Sequence, residues 1–248
     1  MRAVRGTFVG LLALASALPL SAGPARAAPE TSTTVIAHSA EGRAVTATRI
    51  GPADAPVRIV LIGQMHGDEP AGPRIVASVA QRPLPGGVAI WLVPTINPDG
   101  QAVGRRTNAR GIDLNRNFPT RWQSSRRGSG TWSGPRPASE AETRAAMAFL
   151  RDVDPTIVLS FHQPFGVVDV SAPGSTAAGR HLARSLGLGV RRVGCDGPCH
   201  GNLTQWVSSE LGIPALTVEL SADESPEDVA RAASAVRKLG RWLSAHPA

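Results

Sequence analysis

The sequence places an imidazole and a carboxylate three residues apart, at His66 and Glu69, in a turn that also contains Gly63 and Gly67. Neutral imidazole and carboxylate are ligands that zinc takes in catalytic sites, which use three protein ligands and leave one position for water. A His-x-x-Glu pair also arises by chance, so the pair alone is weak evidence. A catalytic zinc site would require one further ligand and a base elsewhere in the chain.

Two other stretches supply such groups. The apolar run 156–161 is followed by His162, and the run 214–218 is followed by Glu219; the first pair likewise follows an apolar run, 57–62. Ligands of open α/β sheets bind beyond the carboxyl ends of the strands. Three strand-like runs that each lead to a ligand or base therefore favour one zinc site, although a carboxylate at the end of a buried strand can also form a structural ion pair.

The elements that must position these residues alternate along the chain. Apolar runs bounded by turn residues predict strands at 34–38, 44–50, 57–62, 88–93, 156–161 and 214–220. Apolar periodicity and capping residues predict helices at about 71–81, 141–152, 176–186 and 203–211, and a last helix that begins at Ser225. We expect the first two strands to form a hairpin at a sheet edge, and Ser139 with Glu142 to form a capping box.

The predicted strands are apolar on both faces and are separated by helices. This pattern indicates an α/β fold, a three-layer sandwich around a mixed, mostly parallel central sheet, within one catalytic domain at 28–248. The stretch 101–137 is rich in Gly, Arg, Asn and Ser and lacks clear periodicity. Such a stretch is typical of functional loops.

Residues 1–27 have the pattern of a signal peptide. Arg2 and Arg5 precede an apolar run at 7–20, and small residues typical of a cleavage site end at Ala27. The run is short for a bilayer span, although an uncleaved membrane anchor is the alternative. No later run is long enough for a membrane helix, so we expect a secreted, periplasmic or cell-envelope protein.

The chain is basic, with 26 Lys and Arg against 19 Asp and Glu and a formal net charge of +7. The arginines are scattered and lack the motifs and aromatic interleaving of nucleic-acid-binding proteins, so we expect no nucleic-acid partner. The charge favours attraction to an anionic cell wall or to substrates that carry carboxylates. A coding bias towards arginine is the alternative, since Lys238 is the only lysine.

Two cysteines, Cys195 and Cys199, lie in a turn rich in Gly and Pro. In an oxidising compartment such a pair predicts a disulfide. A metal site that includes His200 is the alternative, but two cysteines and one histidine fall short of a closed zinc site.

Several motifs together resemble the zinc carboxypeptidases of the M14 type, in particular the short bacterial murein-peptide amidase branch. They occur in family order over about 57–220. The matching pieces are His66-Gly-Asp-Glu69, Asn97-Pro-Asp-Gly100, Gly111-Ile-Asp-Leu-Asn-Arg-Asn-Phe118, Ser133-Gly-Pro-Arg-Pro-Ala-Ser-Glu140, Ser160-Phe-His162 and Thr217-Val-Glu219.

The resemblance implies a metal site and a base. It implies that one zinc ion is held by His66, Glu69 and His162, and that Glu219 is the general acid/base. A bound zinc lowers the pKa of its water and polarises a carbonyl, and a carboxylate can then move the proton to the leaving amine.

The resemblance also implies substrate contacts. Asn115 and Arg116 would clamp a terminal carboxylate, for which a planar guanidinium is suited; an ordinary surface salt bridge is the alternative for the arginine. Arg106 would polarise the scissile carbonyl, with Arg105 and Arg110 as alternatives. Thr204 aligns with the specificity pocket; because it is small and polar, it indicates neither a greasy nor a strongly charged pocket.

Two features depart from the family pattern. The chain contains no tyrosine, whereas the digestive members use a mobile tyrosine near the substrate. The segment between His162 and Glu219 is also compact, which argues against a general digestive carboxypeptidase.

We therefore expect a monomeric zinc metallopeptidase or amidase that cleaves an amide bond next to a free carboxylate in peptidoglycan stem peptides. One alternative is a zinc-dependent deacylase of N-acyl amino acids, against which the Asn97-Pro-Asp-Gly100 motif argues. The other is a wall-binding relative without activity, against which the complete set of ligands and base argues.

Overall fold

A computed structural model describes residues 30–193 and 200–247 of the protein. Within these residues, eight strands form one sheet: β1 (Thr31–His38), β2 (Ala44–Ile50), β3 (Val57–Ile62), β4 (Val88–Val93), β5 (Ile157–His162), β6 (Phe165–Asp169), β7 (Gly189–Arg191) and β8 (Ala215–Ser221). Their order is β1-β2-β4-β3-β5-β8-β6-β7. The central strands β4, β3, β5 and β8 are parallel, whereas β1, β2 and β6 join their neighbours β2, β4 and β8 in antiparallel pairs.

Helices cover both faces of the sheet. They are α1 (Ala71–Ala80), α2 (Pro98–Ala102), α3 (Ala141–Val153), α4 (Thr176–Leu186), α5 (Leu203–Glu210) and α6 (Pro226–Ala245), with a 3-10 turn at Leu114–Arg116. Buried residues of α1, α4 and α6 form one core with the sheet, and those of α3, α5 and the loop 101–137 form a second core on the other face. The predicted three-layer sandwich with a mixed, mostly parallel sheet is confirmed.

Strand β5 shows how the sheet directs side chains to its two faces. Leu159 and Phe161 pack in the core under α1, α4 and α6. Side chains alternate along a strand, so Ser160 and His162 point to the opposite face, under α3 and α5. In the parallel register with β8, His162 lies beside Glu219. Strand periodicity alone therefore places a ligand and the base on one face, at the carboxyl ends of adjacent strands.

The predicted boundaries lie close to those of the structure, but one cap was wrong. Glu140, not Ser139, is the N-cap of α3, and the Ser139 hydroxyl instead donates to the Glu140 carboxylate at 2.7 Å. No side-chain capping bond forms at this helix start. The capping box lies at α6, where Ser225 Oγ accepts from Asp228 N at 3.2 Å and the Asp228 carboxylate accepts from Ser225 N at 3.0 Å.

The sequence did not predict β6, β7, α2 or the 3-10 turn. Strand β7 has three exposed residues, and α2 has five residues that read as a turn cluster. Such short pieces carry no usable periodicity. In the part of the chain that the structure describes, no helix is both long and apolar enough to cross a membrane. The predicted signal peptide and the predicted disulfide between Cys195 and Cys199 lie outside the described residues.

Candidate active site

Close backbone packing fixes the loop that carries His66 and Glu69. A Cβ at Gly67 would lie 2.0 Å from the carbonyl carbon of Gly100, so the loop can approach α2 this closely because residue 67 is glycine. The start of α1 packs equally closely on the end of β3, since a Cβ at Gly72 would lie 1.5 Å from a backbone oxygen. Glycines thus bring the loop back against the sheet edge.

Asn97 joins this loop to the next one. Its side-chain amide donates to the backbone oxygens of Met65 at 3.0 Å and Arg106 at 3.1 Å, and its oxygen accepts from Gly100 N at 2.9 Å. The side chain is fully buried. One residue of the Asn-Pro-Asp-Gly motif therefore sets the spacing between the loops that carry His66 and Arg106.

The three predicted ligands converge on one point. His66 Nδ1 lies 2.7 Å from one oxygen of Glu69, and His162 Nδ1 lies 2.9 Å from the other. The two Nδ1 atoms are 3.2 Å apart. All three residues are buried, and one ligand atom from each lies within 4.8 Å of the others. The residue types and the convergence match a three-ligand catalytic zinc site.

Asp113 provides an independent test of this fit. Its Oδ1 lies 3.2 Å from His66 Nε2, so a neutral His66 carries its proton on Nε2 and donates it to Asp113. The Nδ1 lone pair then faces the Glu69 carboxylate at 2.7 Å. Two lone pairs at this distance repel unless a proton or a metal ion binds both of them, and a carboxylate behind a histidine is the usual partner of a metal-bound imidazole.

Arg106 and the 3-10 turn hold Asp113 in place. Arg106 donates from Nε and Nη2 to Asp113 Oδ2 at 3.0 and 2.9 Å, and Asn115 N donates to Oδ1 at 2.9 Å. Burial alone would raise the pKa of Asp113, but the bond to His66 and the nearby guanidinium groups of Arg106 and Arg116 hold this pKa well below its usual range. Asp113 is therefore an anion at the back of the site.

The ligand carboxylate is also held as an anion. Burial would raise the pKa of Glu69, but its contacts with the imidazoles of His162 and His66 outweigh burial and lower the pKa to about 2. Burial would lower the pKa of His66, yet its bonds to Asp113 and Glu69 raise the pKa above the ordinary value. Both shifts have the direction expected where a positive charge is held among the three side chains.

Glu219 lies beside the ligands without being one of them. Its Oε2 is buried and accepts no hydrogen bond from any described residue. Burial is the main reason that the pKa of Glu219 is raised, and the negative charge of Glu69 adds to the effect against the opposing charges of His162 and His66. A carboxylate with a free oxygen and a raised pKa can accept and return a proton.

Arg116 points into the same cavity as the ligands and Glu219. Its Nη1 donates to Asn115 O at 2.8 Å, and its buried Nε has no partner among the described residues. In residues 30–193 and 200–247 no carboxylate forms an ion pair with this guanidinium, so the surface salt bridge considered from the sequence does not occur there. Burial lowers the pKa of Arg116 from its ordinary value.

Asn115 and Thr204 also line the cavity. The Asn115 side-chain amide and the Thr204 hydroxyl both contact other residues of the protein. Asn115 Oδ1 accepts from Leu203 N at 3.0 Å, and its amide nitrogen lies 3.5 Å from His162 Nε2. The Thr204 hydroxyl lies 3.2 Å from that of Thr217.

The three candidate arginines occupy different places. Arg106 lines the cavity, and its Nη1 lies 3.7 Å from Glu69. Arg105 donates to Asn108 O at 2.8 Å, and Arg110 lies 3.7 Å from Glu140. Neither of these two lines the cavity, so Arg106 is the one placed to meet a substrate.

Comparisons with known proteins agree with this geometry. The zinc carboxypeptidase family profile matches residues 24–177. The murein peptide amidase A of Escherichia coli K12 is 32% identical over 201 residues, which cover 76% of this chain and 80% of that protein. The crystal structure of the murein-tripeptide amidase from Escherichia coli O157 is 27% identical with a TM-score of 0.71, and the match covers 90% of this chain and 95% of the other.

A more distant structure shares the fold alone. Carboxypeptidase A from Helicoverpa armigera is 17% identical with a TM-score of 0.71, over 88% of this chain and 69% of the other.

Within the site, sequence reasoning missed Asp113, Gln163, Asp169 and Thr217. Asp113 and Thr217 carried a local signal, since they lie inside the Gly-Ile-Asp-Leu-Asn-Arg and Thr-Val-Glu motifs, whereas Gln163 and Asp169 carried none.

Proposed function

The chain belongs to the zinc carboxypeptidase family and is a hydrolase that uses one zinc, and from this premise we propose that it cleaves an amide bond next to a free carboxylate in peptidoglycan stem peptides. The observation that carries the proposal is the Arg116 guanidinium, which faces the cavity of the metal ligands without an acidic partner in the described residues.

Each residue of the site has its own role in the proposed reaction. His66, Glu69 and His162 would hold the zinc, which supplies an acidic water and a Lewis-acid contact for a carbonyl oxygen. Glu219 takes a proton from the attacking water at its free Oε2 and gives it to the leaving amine. Arg106 lies beside Glu69 and offers positive charge to the oxyanion that develops on the carbonyl.

Arg116 and Asn115 select the substrate by its charge. Asp113 is close enough to act on the charge of Arg116 but forms no ion pair with it in the described residues. A partly buried cation without a direct ionic partner is costly, and a substrate carboxylate removes that cost by two parallel hydrogen bonds. A substrate without the carboxylate leaves Arg116 without a direct ionic partner, so this free-energy cost remains. The clamp therefore favours a residue with a free carboxylate on the leaving side of the bond.

Relatives named for murein peptides support the peptidoglycan substrate, at 32% identity over most of both chains. The net charge of +7 fits anionic wall material. The complete set of ligands, base and arginines argues against an inactive wall-binding protein.

We also propose export to the cell envelope and a disulfide between Cys195 and Cys199. The n-region, apolar run and cleavage pattern of residues 1–27 support export. An oxidising compartment would then favour the cysteine pair as a disulfide.

Matched acid and amide substrates test the carboxylate clamp. We expect amidation of the terminal carboxylate to lower kcat/KM of the wild type by at least ~10-fold, because Arg116 then stays unpaired. Arg116→Ala should weaken cleavage of the acid and nearly erase the difference, and Arg116→Lys should recover only part of it.

The control for this test is Arg136→Ala, because that side chain is exposed and lies outside the cavity. It should keep the wild-type preference for the acid. Equal wild-type rates on acid and amide would remove the clamp from the mechanism and shift the proposal towards a deacylase or an endopeptidase.

A further inference from the structure

One side chain at the end of β5 joins segments that are distant in the sequence. Gln163 follows His162, the last residue of β5. Its Oε1 accepts from the backbone N of Ala71 at 3.0 Å, and its Nε2 donates to the backbone oxygens of Ser221 at 2.9 Å and Ala222 at 2.8 Å. The amide oxygen thus meets a donor and the amide nitrogen meets two acceptors, so the hydrogen-bonding capacity of the side chain is well used.

The partners of this amide lie next to the ligands and the base. Ala71 is the first residue of α1, two residues after the ligand Glu69. Ser221 is the last residue of β8, two residues after the base Glu219. The side chain therefore ties the ends of the three segments that carry Glu69, His162 and Glu219.

The pairing of the strands does not reach the loop that carries Glu69. β3 pairs with β5 as far as Ile62 and Ser160, and β5 pairs with β8 as far as His162 and Glu219. The loop after β3 lies beyond the last paired residue of its strand. It must be held against the ends of β5 and β8 by contacts other than the sheet hydrogen bonds.

The start of α1 also depends on this contact. The first amides of a helix have no partner within the helix. Pro70 at the N-cap of α1 forms no side-chain capping bond, and the first turn contains no acidic residue. Gln163 thus acts as the capping side chain of Ala71 from 92 residues further along the chain.

We propose that Gln163 is a positioning residue, whose three hydrogen bonds set the distance between the base Glu219 and the ligand Glu69. The inference rests on the proposed function, because it takes Glu219 as the group that moves the proton. Such a group must lie within hydrogen-bond reach of the reacting atom, and a displacement of about 1 Å can slow a reaction ~10²-fold. Glu219 Oε2 has no hydrogen-bond partner among the described residues, so its position depends on the strand that carries it.

Replacement of Gln163 by methionine tests the proposal, because methionine has a side chain of similar length that forms none of the three hydrogen bonds. The variant should still bind about one zinc, since the three ligands remain. With zinc bound, its kcat should fall by at least ~10-fold. Its KM should change little, because Arg116 and Asn115 are unaltered.

Hydrogen exchange tests the contact without any measurement of activity. The backbone amide of Ala71 should exchange faster in Gln163→Met than in the wild type, because it loses its acceptor. The same increase should be seen in the metal-free protein. An unchanged exchange rate would mean that this bond does not hold the start of α1, and would overturn the proposal.

A double replacement separates positioning of the base from general loosening of the site. Effects of residues that act as a unit are not additive. In the Glu219→Gln background, Gln163→Met should therefore cause little further loss of kcat. The same fold-loss in both backgrounds would show that Gln163 acts independently of the base, and would overturn the proposal.

Arg74→Ala is the matched control. Arg74 Nη1 donates to the backbone oxygen of Glu224 at 3.0 Å, so it also links α1 to the segment after β8, but from an exposed position outside the cavity. This variant should keep the wild-type kcat. A loss equal to that of Gln163→Met would assign the effect to loosening of α1 and would overturn the proposal.

A second variant of the same position keeps the test open if Gln163→Met does not fold. Gln163→Asn retains the amide on a side chain that is one methylene shorter and cannot span both sets of partners. It should show the same loss of kcat and the same faster exchange at Ala71.

These assays separate the inference from the proposed function, because any amide substrate that the wild type cleaves can be used. Equal wild-type rates on acid and amide substrates would contradict the carboxylate clamp, and the comparison of Gln163→Met with the wild type would still decide the inference. A wild-type kcat in zinc-loaded Gln163→Met would overturn the role of Gln163 and leave the proposed function intact.

Discussion

Asp113 determines which nitrogen of His66 is free to bind a metal. Its contact with Nε2 at 3.2 Å leaves Nδ1 to face Glu69. His162 is oriented in a related way, since its Nε2 lies 3.1 Å from the Ser160 hydroxyl. Both histidines thus present the same type of atom to the centre, and their outer contacts belong to the metal site as much as the ligands do.

At this scale we predict that Asp113→Asn weakens zinc binding by ~10- to 100-fold, the usual effect of losing a partner behind a ligand. The amide also places a nitrogen near the Arg106 guanidinium, whose Nε and Nη2 both donate to Asp113 Oδ2 in the wild type. Zinc affinity can be measured by competition with a chromophoric chelator.

Asp68→Asn is the matched control for this prediction, because Asp68 is exposed and lies in the same loop as His66. It should bind zinc like the wild type. An unchanged zinc affinity in Asp113→Asn would mean that the orientation of His66 does not depend on this carboxylate.

The sequence identified the residues of the site better than their partners. His66, Glu69, His162 and Glu219 could be predicted because each follows an apolar run, and strand ends meet at one edge of a sheet. Asp113 contacts a histidine 47 residues away. Its role depends on how a loop without periodicity folds back, which local sequence rules do not describe.

At the scale of the elements, glycines let the loop of His66 lie against α2. We predict that Gly67→Ala lowers the free energy of unfolding by roughly 1–3 kcal/mol or more, because the added Cβ would meet the Gly100 backbone at 2.0 Å. Chemical denaturation of the purified protein measures this change.

Gly86→Ala is the control, since a Cβ there would meet nothing within 4 Å and the φ angle is not in the left-handed region. It should leave the free energy of unfolding nearly unchanged. Equal stability of the two variants would show that the loop can move away from α2 without cost.

Most helices and central strands could be predicted, for a clear physical reason. Strand β3 was predicted with its observed bounds, and α4 likewise, because a buried strand and an amphipathic helix both repeat their apolar pattern. The predicted cap at Ser139 was wrong because the Ser139 hydroxyl donates to the Glu140 carboxylate instead of accepting from the helix. The same carboxylate accepts from the side-chain amide of Asn108 at 2.9 Å. Tertiary contacts such as this one decide which of several capping residues is used.

At the scale of the whole molecule, the site exists only through the order of the strands. β3 lies beside β5, and β5 beside β8, so three segments distant in sequence bring their carboxyl ends together. The fold class followed from alternating elements, but the position of β6 beside β8 did not. That position places Asp169 in the lining of the cavity, and it could not be predicted because β6 is a short strand without a clear apolar pattern.

The zinc content of purified variants tests the three-ligand site most directly. We predict about one zinc per wild-type protein and a large loss in His66→Ala, Glu69→Ala and His162→Ala, since catalytic zinc needs all three protein ligands. Glu219→Gln is the control: it should keep the zinc and the fold while losing at least ~10²-fold in turnover, the usual contribution of a general acid/base. Full zinc occupancy in the three ligand variants, measured by elemental analysis, would contradict the assignment of the site.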